Sequence, residues 1–398
     1  MSGNRKLINR EDIAINSKNV HSYSPSIQKL IDLSVSYIPY VEEANRNGIP
    51  HVWYEGGSLY AYLWGLGVVP VLFVELYRYG GEKGIAFSEE EFQIPAETCA
   101  MSQAMIGDFY LKRDYTIKRV ALSSVVCEPL LSGFEFVKKY GYDIFMVDGG
   151  YLPADPKRFE RRKEFCAAEM KRLAEWATGT PIDKDKLRQE QIRFNRIQDK
   201  IREIVELRRH HNTYIKSVPM TLLFCGNGNY FGRPEEYEAS LDGILAELKA
   251  LKSDEYHGAT AKLGWIGMRG GLNVMNAIDE SGATVDLWYT AGYYSKDYNL
   301  EMDPFDAAVD YVVGDRYYGG TTEDKCKAIE AMTEETGVRG LFLYTQMGCS
   351  MGQVEEELER MYFQKRGVAS LTIAAAYEEG PASGQLDTRI KAFVEMLS

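Results

Sequence analysis

Three of the six cysteines in this chain stand where a thiol could take part in chemistry. Cys127 and Cys349 each follow an apolar run and precede a predicted helix, and Cys99 lies near the start of another predicted helix. A helix N-terminus favours the negative thiolate, which is the form that binds metal or attacks carbon. Three thiolates suit an iron-sulfur cluster or zinc, and an open fourth position would let one metal bind substrate or water. The alternative is that the thiols are ordinary core residues.

The other three cysteines are predicted to be packing residues. Cys166 and Cys326 fall within predicted helices on charged segments, and Cys225 closes an apolar run that is predicted as a strand. Free cysteine is among the most commonly buried residue types. Because no CxxC or other local zinc spacing occurs, any metal site must be assembled from distant segments.

The elements that would position the three thiols alternate between strand and helix. The segments "HVWYEGG", "VVPVLFVE", "KRVALSSVVC" and "YDIFMVDGG" are predicted as strands with helices between them. Pro95 is expected to open a helix that carries Cys99 in its early turns, and a helix at residues 26–45 is expected to break or kink at Pro39. This alternation predicts a parallel sheet with helices on its faces.

Three regions are predicted along the chain. Residues 1–154 form an N-terminal α/β lobe with two of the candidate thiols, and residues 155–215 are strongly charged and predict a helical segment. Strand and helix alternate again in residues 216–398, which predict a C-terminal α/β lobe with the third thiol. The predicted fold class is therefore α/β, with two Rossmann-like parallel-sheet lobes and a helical insertion. Since ligands bind beyond the carboxyl ends of such strands, the thiols are expected to meet in the cleft between the lobes.

Composition and charge exclude several classes of function. The chain has 398 residues and a net charge of −12, with 46 Lys+Arg against 58 Asp+Glu, which is a poor balance for neutralising nucleic-acid phosphates. No apolar run reaches the roughly 18 to 20 residues that a bilayer requires. The start "MSGNRKLINREDIAINSKN" is polar and does not resemble a secretion signal. We expect a soluble cytoplasmic protein without a nucleic-acid or membrane partner.

Four stretches in order carry a resemblance to a known family: "IPAETCAMSQAMIGDFY", "LSSVVCEPL", "FLYTQMGCSMGQVEEELE" and "EEGPASGQLDTRIKAFVEML". They resemble the 2-hydroxyacyl-CoA dehydratases, in particular the D-component-like subunit of 2-hydroxyglutaryl-CoA dehydratase, in a family that also contains ATP-dependent benzoyl-CoA reductase subunits. The resemblance implies that Cys99, Cys127 and Cys349 hold one 4Fe-4S cluster. It also implies a heterodimer with a paralogous cluster-bearing subunit, and a separate ATP-hydrolysing iron-sulfur activator that delivers an electron.

The reaction that the resemblance implies is the elimination of water from an (R)-2-hydroxyacyl-CoA to give a 2-enoyl-CoA. The thioester does not acidify the hydrogen at C3, so ordinary acid-base catalysis fails. One electron added to the thioester carbonyl makes a ketyl radical anion that expels the 2-hydroxyl, and the resulting enoxy radical has a much more acidic C3 hydrogen. The electron then returns. In this scheme an open iron binds the substrate oxygen as a Lewis acid and supplies the electron.

Three other functions stay open at this stage. The chain could be a subunit of an aromatic acyl-CoA reductase, which would consume electrons in reducing a ring. It could instead be a non-catalytic electron-relay subunit of either complex. A zinc site made by the same cysteines is the remaining alternative.

Three further residues are candidate catalytic groups. Glu75 ends the predicted second strand and could accept a proton or bind water, while Glu55 and Ser58 follow the first strand, where related chains place polar residues near the substrate. The alternative for Glu75 is a solvated or helix-capping side chain.

Candidate substrate contacts come from the terminal helix and from a glycine-rich turn. The turn "GWIGMRGGLN" matches neither GxGxxG nor the P-loop signature, so its glycines favour a tight turn, although its arginine could meet a coenzyme A phosphate. The terminal helix is as well suited to packing and a salt bridge as to ligand binding. The candidates are Gln385, Thr388, Arg389 and Arg269.

Overall fold

The structure is a computed structural model with an α/β fold built on two four-stranded sheets, in which every strand pair is parallel. The prediction of two parallel-sheet lobes is confirmed. Nowhere in the described parts of the chain is a helix long and apolar enough to cross a membrane. The described residues are 24–55, 58–72, 81–123, 127–148, 156–253, 255–268, 271–290, 296–314, 321–375 and 384–398.

The first sheet contains β1 (His51–Glu55), β2 (Val69–Leu72), β3 (Arg119–Ser123) and β4 (Asp143–Val147). Its order across the sheet is β2-β1-β3-β4. The helices of this part of the chain are α1 (Pro25–Val35), α2 (Tyr37–Arg46), α3 (Tyr60–Gly65), α4 (Gly81–Glu90), α5 (Ala100–Leu111) and α6 (Glu128–Lys138).

A run of helices separates the two sheets. It contains α7 (Pro156–Thr178), α8 (Lys184–His210), α9 (Ser217–Cys225), a 3-10 turn at Tyr230–Gly232 and α10 (Pro234–Ala250).

The second sheet contains β5 (Lys262–Gly267), β6 (Thr284–Tyr289), β7 (Gly340–Gln346) and β8 (Ala369–Ala375) in the order β6-β5-β7-β8. Its helices are α11 (Leu272–Glu280), α12 (Pro304–Val313), α13 (Thr322–Thr336), α14 (Ser350–Gln364) and α15 (Gly384–Leu397).

The two sheets have the same topology. In each, the order across the sheet is second, first, third and fourth strand. No repeat is apparent in the sequence, so only the backbone reveals this duplication. In a sheet of this order, the connection after the first strand and the connection after the third strand run in opposite directions across the sheet. Ligands bind beyond the carboxyl ends of those two strands. The binding crevices are therefore expected beyond β1 and β3 in one lobe and beyond β5 and β7 in the other.

Helix α8 joins the two lobes. The Asp183 side chain caps its N-terminus, and its last turn is basic, with Arg208, Arg209 and His210 near the negative end of the helix dipole. The helix packs against α3 of the first lobe and α12 of the second. One continuous apolar core therefore runs through both lobes and this helix. The residue boundaries predicted for the three regions stay predictions.

Two local predictions are wrong in position. The first long helix breaks at Ser36 rather than at Pro39, which lies in the first turn of α2. A proline ring clashes with the carbonyl four residues earlier, and that residue is Val35, the last of α1. Helix α5 begins at Ala100, so Cys99 caps it instead of lying within it. Pro95 accepts a hydrogen bond from the Thr98 N–H in a separate turn.

The strand predicted before Cys225 is also wrong, because residues 217–225 form helix α9. Every residue of this helix is buried. A short apolar run that is buried on all sides has neither the two-residue nor the 3.6-residue period, so its composition cannot distinguish a strand from a helix.

Candidate functional site

Each of the three candidate cysteines occupies the N-cap position of a helix, and the sulfur of Cys349 accepts a capping hydrogen bond from the Gly352 N–H. Cys99 precedes α5, Cys127 precedes α6 and Cys349 precedes α14. Cys127 and Cys349 occupy equivalent places in the duplicated topology, since each follows the third strand of its own sheet. The sequence-based placement of these two thiols between strand and helix is confirmed.

A contact between two turns brings Cys99 and Cys349 together. The Ala100 N–H donates to the Met347 carbonyl at 3.1 Å. Gly348 has φ +78°, and a Cβ built on it would lie 2.6 Å from the Glu97 carbonyl oxygen. Only glycine combines this backbone conformation with so close an approach. The sequence therefore needs Gly348 between strand β7 and the thiol for the two lobes to meet here.

The Cys99 and Cys349 thiols are electrostatically coupled. A hydrogen bond from the Cys99 thiol lowers the pKa of Cys349 to about 6, and the Gly352 N–H, 3.3 Å from the Cys349 sulfur, acts in the same direction. The same thiol–thiol bond, followed by burial, raises the pKa of Cys99. The lowered pKa favours the thiolate form of Cys349, and the positive end of α14 acts in the same direction.

Cys127, the third candidate thiol, contacts the helix that follows Cys99 through the side chain of Ser102. Its sulfur lies 3.4 Å from the Ser102 hydroxyl oxygen, in the first turn of α5, and its charge contributes to the raised pKa of Cys99. The three thiols, from both lobes, are therefore neighbours. Cys99 is only 3% exposed, whereas Cys127 and Cys349 are partly exposed, so a ligand can approach from their side.

Sequence reasoning missed the groups that support the sulfurs. Ser102 and Gly352 each stand three residues after a helix-capping cysteine. Thr345, at the end of β7, also lowers the pKa of Cys349 through its hydroxyl. A Cβ on Gly352 would lie 2.5 Å from the Thr345 hydroxyl oxygen. The position of these residues could have been read from the sequence. An N-cap side chain reaches the backbone N–H groups two or three residues later, and a small or polar residue there leaves room for the sulfur or donates to it.

The predicted catalytic residues lie partly outside the described chain. Glu55 is half-buried at the end of β1, beside Leu122 of β3, and Ser58 is buried just beyond it. Both lie at the carboxyl end of β1, at the same sheet edge as Cys127. Glu75 and Arg269 lie outside the described residues. The catalytic roles of Glu55, Ser58 and Glu75, and the substrate contact of Arg269, stay predictions.

The terminal-helix candidates make local contacts. The Thr388 hydroxyl donates to the Gly384 carbonyl at 2.7 Å, and the Arg389 guanidinium donates to the Thr372 carbonyl of β8 at 2.9 Å. Gln385 is exposed. The Thr388 bond lies within α15, and the Arg389 bond attaches this helix to β8 at the sheet edge. A ligand role for the three residues stays a prediction.

The other three cysteines are core residues, each about 1% exposed. Burial raises the pKa of Cys166 to about 11 and that of Cys326 to about 12, so both thiols are neutral at physiological pH. Cys225 is enclosed at the end of the buried helix α9. The packing assignment fits all three.

The arrangement of the three thiols suits a cluster better than a single metal ion. Within the described residues, no group of three or more His, Cys, Asp or Glu side chains is arranged to hold a single metal ion. In a 4Fe-4S cluster, however, each thiolate binds a different iron, so its ligands surround the cluster and do not converge on one ion. Three thiols at helix N-termini, with N–H and O–H groups directed at sulfur, fit the chemistry of such a cluster.

Replacing Gly348 with alanine is expected to separate the two turns that carry Cys99 and Cys349. The added methyl group must displace backbone atoms of the facing turn, with an expected cost of about 1–3 kcal/mol in the free energy of unfolding. The measurement is urea-induced unfolding. Gly367→Ala is the matched control, because its φ is +74° and a Cβ there meets nothing within 4 Å. Equal destabilisation by the two variants would show that backbone conformation alone, and not the turn contact, accounts for the glycine.

The fold and site together define a two-lobed α/β protein in which three cysteines at helix N-termini lie close together where the lobes meet. The chain belongs to the 2-hydroxyglutaryl-CoA dehydratase D-component family, whose sequence profile matches residues 62–397. Family membership confirms the resemblance carried by the four stretches, and it makes the chain a subunit of the 2-hydroxyacyl-CoA dehydratase type, generally a lyase. No match was found among curated proteins.

Proposed function

We propose that this chain is the cluster-bearing subunit of a heterodimeric dehydratase that removes water from an (R)-2-hydroxyacyl-CoA by a radical route, after one-electron activation by an ATP-dependent activator. The observation that supports it best is the meeting of Cys99, Cys127 and Cys349, from three helix N-termini and two lobes, in a D-component family member. All six cysteines are free, which suits the reducing cytoplasm that we propose as its location.

The three cysteines are the proposed ligands of a 4Fe-4S cluster. When bound, such a cluster supplies a low-potential electron and a Lewis-acidic iron for the substrate oxygen. The chain contributes the electrostatic environment of the thiolates: the N-termini of three helices, the Gly352 N–H and the Ser102 hydroxyl all favour negative charge on sulfur. Burial of Cys99 excludes water from the inner side, and the partly exposed Cys127 and Cys349 leave the other side open to substrate.

The substrate is proposed to lie beyond the carboxyl ends of β1 and β3. Glu55 is half-buried there and is a proposed acceptor for the C3 proton, with Glu75 as the second proposed acceptor and Ser58 as a proposed hydrogen-bonding group. The proposed contacts for the remainder of the acyl-CoA are Gln385, Thr388, Arg389 and Arg269.

A test of this function is the anaerobic determination of iron and sulfide in the purified chain, with EPR spectra after one-electron reduction. About four irons and four sulfides per chain are expected. Addition of an (R)-2-hydroxyacyl-CoA is expected to perturb the EPR signal. A cluster with a signal that no acyl-CoA perturbs would favour an electron-relay subunit, and net consumption of electrons with an aromatic acyl-CoA would favour a ring reductase. Zinc in place of iron would overturn the proposal.

An exposed apolar stripe on α14 supports the proposed partner subunit. Met351, Val354, Leu358 and Met361 are 43–64% exposed and recur at alternating spacings of three and four residues. This is the spacing of a narrow seam that packs against another helix. Met347, 53% exposed in the turn before Cys349, extends the stripe to the thiols. We propose that the paralogous subunit covers this stripe with one of its helices.

Met361→Glu is expected to weaken the complex with the paralogous subunit at least about tenfold, because the complex would bury an unpaired carboxylate in an apolar seam. Met396→Glu is the matched control, since Met396 is 65% exposed on α15, away from the stripe. The measurement is sedimentation equilibrium of the mixed subunits. Equal affinity for both variants and the wild type would show that the partner binds elsewhere.

A further inference from the structure

Ser102 has an unusual place for a helical serine. It lies in the first turn of α5, is 0% exposed, and its hydroxyl oxygen is 3.4 Å from the Cys127 sulfur. A serine within a helix commonly bonds the carbonyl four residues earlier. For Ser102 that residue is Thr98, which precedes the helix. The buried hydroxyl is instead directed at a sulfur that begins a different helix, α6.

The direction of this hydrogen bond follows from the state of the cysteine. Either atom of the pair can donate while Cys127 carries a proton. A cysteine that binds iron is a thiolate without a proton, so the hydroxyl of Ser102 must then be the donor. When Cys127 binds iron, Ser102 therefore directs a polar hydrogen at its sulfur.

We propose that Ser102 is a positioning residue that sets the reduction potential of the cluster by donating its hydroxyl hydrogen to the Cys127 thiolate; this inference rests on the proposed function. Reduction of an iron-sulfur cluster adds negative charge, and part of that charge lies on the cysteine sulfurs. A hydrogen bond to sulfur stabilises the reduced form more than the oxidised form and raises the potential. The donor side of this bond, the Ser102 hydroxyl, is buried, which strengthens its effect on the sulfur.

The test is an anaerobic redox titration of Ser102→Ala, followed by visible and EPR spectra. At a fixed solution potential near the wild-type midpoint, the ratio of reduced to oxidised cluster is expected to fall about three- to tenfold, with iron content unchanged. Ser88→Ala is the matched control. Ser88 is also 0% exposed, and its hydroxyl donates to the Gln103 carbonyl of the same helix at 2.6 Å. Its removal is expected to leave the ratio at the wild-type value.

The outcomes separate this inference from the function on which it rests. A Ser102→Ala protein with full iron and the wild-type ratio would overturn the inference and leave the proposed function standing. Loss of iron from Ser102→Ala would also overturn it, because the residue would then hold the cluster and not set its potential. A wild-type chain without iron, which also cannot be reconstituted, would overturn the proposed function itself.

Discussion

Replacing Cys349 with alanine is expected to remove most of the iron from the anaerobically purified chain and to abolish activity of the assembled enzyme. The lowered pKa of Cys349 favours its thiolate form, and of the three candidate thiols this one comes from the second lobe. Loss of one ligand in three leaves an iron exposed to solvent and the cluster prone to decay. Cys99→Ala and Cys127→Ala are expected to lose iron for the same reason.

Cys326→Ala is the matched control for this loss. Cys326 belongs to the same lobe as Cys349 and is buried within α13, with a pKa raised to about 12 mainly by burial. It and Cys166→Ala are expected to keep nearly all iron, at a modest cost in stability. The measurement is iron and sulfide per chain, with circular dichroism to confirm the fold. Equal iron in all five variants would contradict the ligand assignment.

Arg208→Met is expected to lower the free energy of unfolding by about 3–5 kcal/mol, because it removes the close partner of the buried Asp286 carboxylate, from which Lys262 lies 4.0 Å away. The Arg208 side chain is 2% exposed and donates to Asp286 at 2.7 Å. It also donates to the Ile215 and Val285 carbonyls and to the Thr284 hydroxyl, at 2.7 to 2.8 Å. These bonds attach the end of α8 to β6, so the substitution detaches the helical segment from the second sheet.

An ion pair on the protein surface provides the control for the buried Arg208–Asp286 ion pair. Arg202 lies on the same helix and pairs with Asp297 at 3.0 Å, with both side chains about half exposed. Arg202→Met is expected to cost less than about 1 kcal/mol. Urea unfolding gives both values. The double variant Arg208→Met with Asp286→Leu is expected to recover part of the loss, since it removes both buried charges. A cost for Arg208→Met no larger than that for Arg202→Met would show that the buried network adds no stability.

Several elements of the fold were predictable because their signals are local. The strand before Cys349 is a compact apolar run, and the polar helix after it has a clear amphipathic period, so the thiol between them had to lie at a helix start. Pro129 lies in the first turn of α6, a position that proline favours, so the start of this helix also has a local signal. The errors have local causes too. Helix α9 is buried on every side and has no period, and Pro39 acts on a carbonyl four residues away.

The sequence by itself determined the alternation of strands and helices, the helical segment between the lobes, and the type of residue that begins α6 and α14. Each of these depends on side-chain pattern over a few neighbouring residues. Only the tertiary structure decided which thiols meet. The contact of Gly348 with Glu97, the coupling of Cys99 to Cys349 and the bond from Ser102 to Cys127 join residues that are distant along the chain. The shared strand order of the two sheets likewise depends on pairing between distant segments, which no local pattern records.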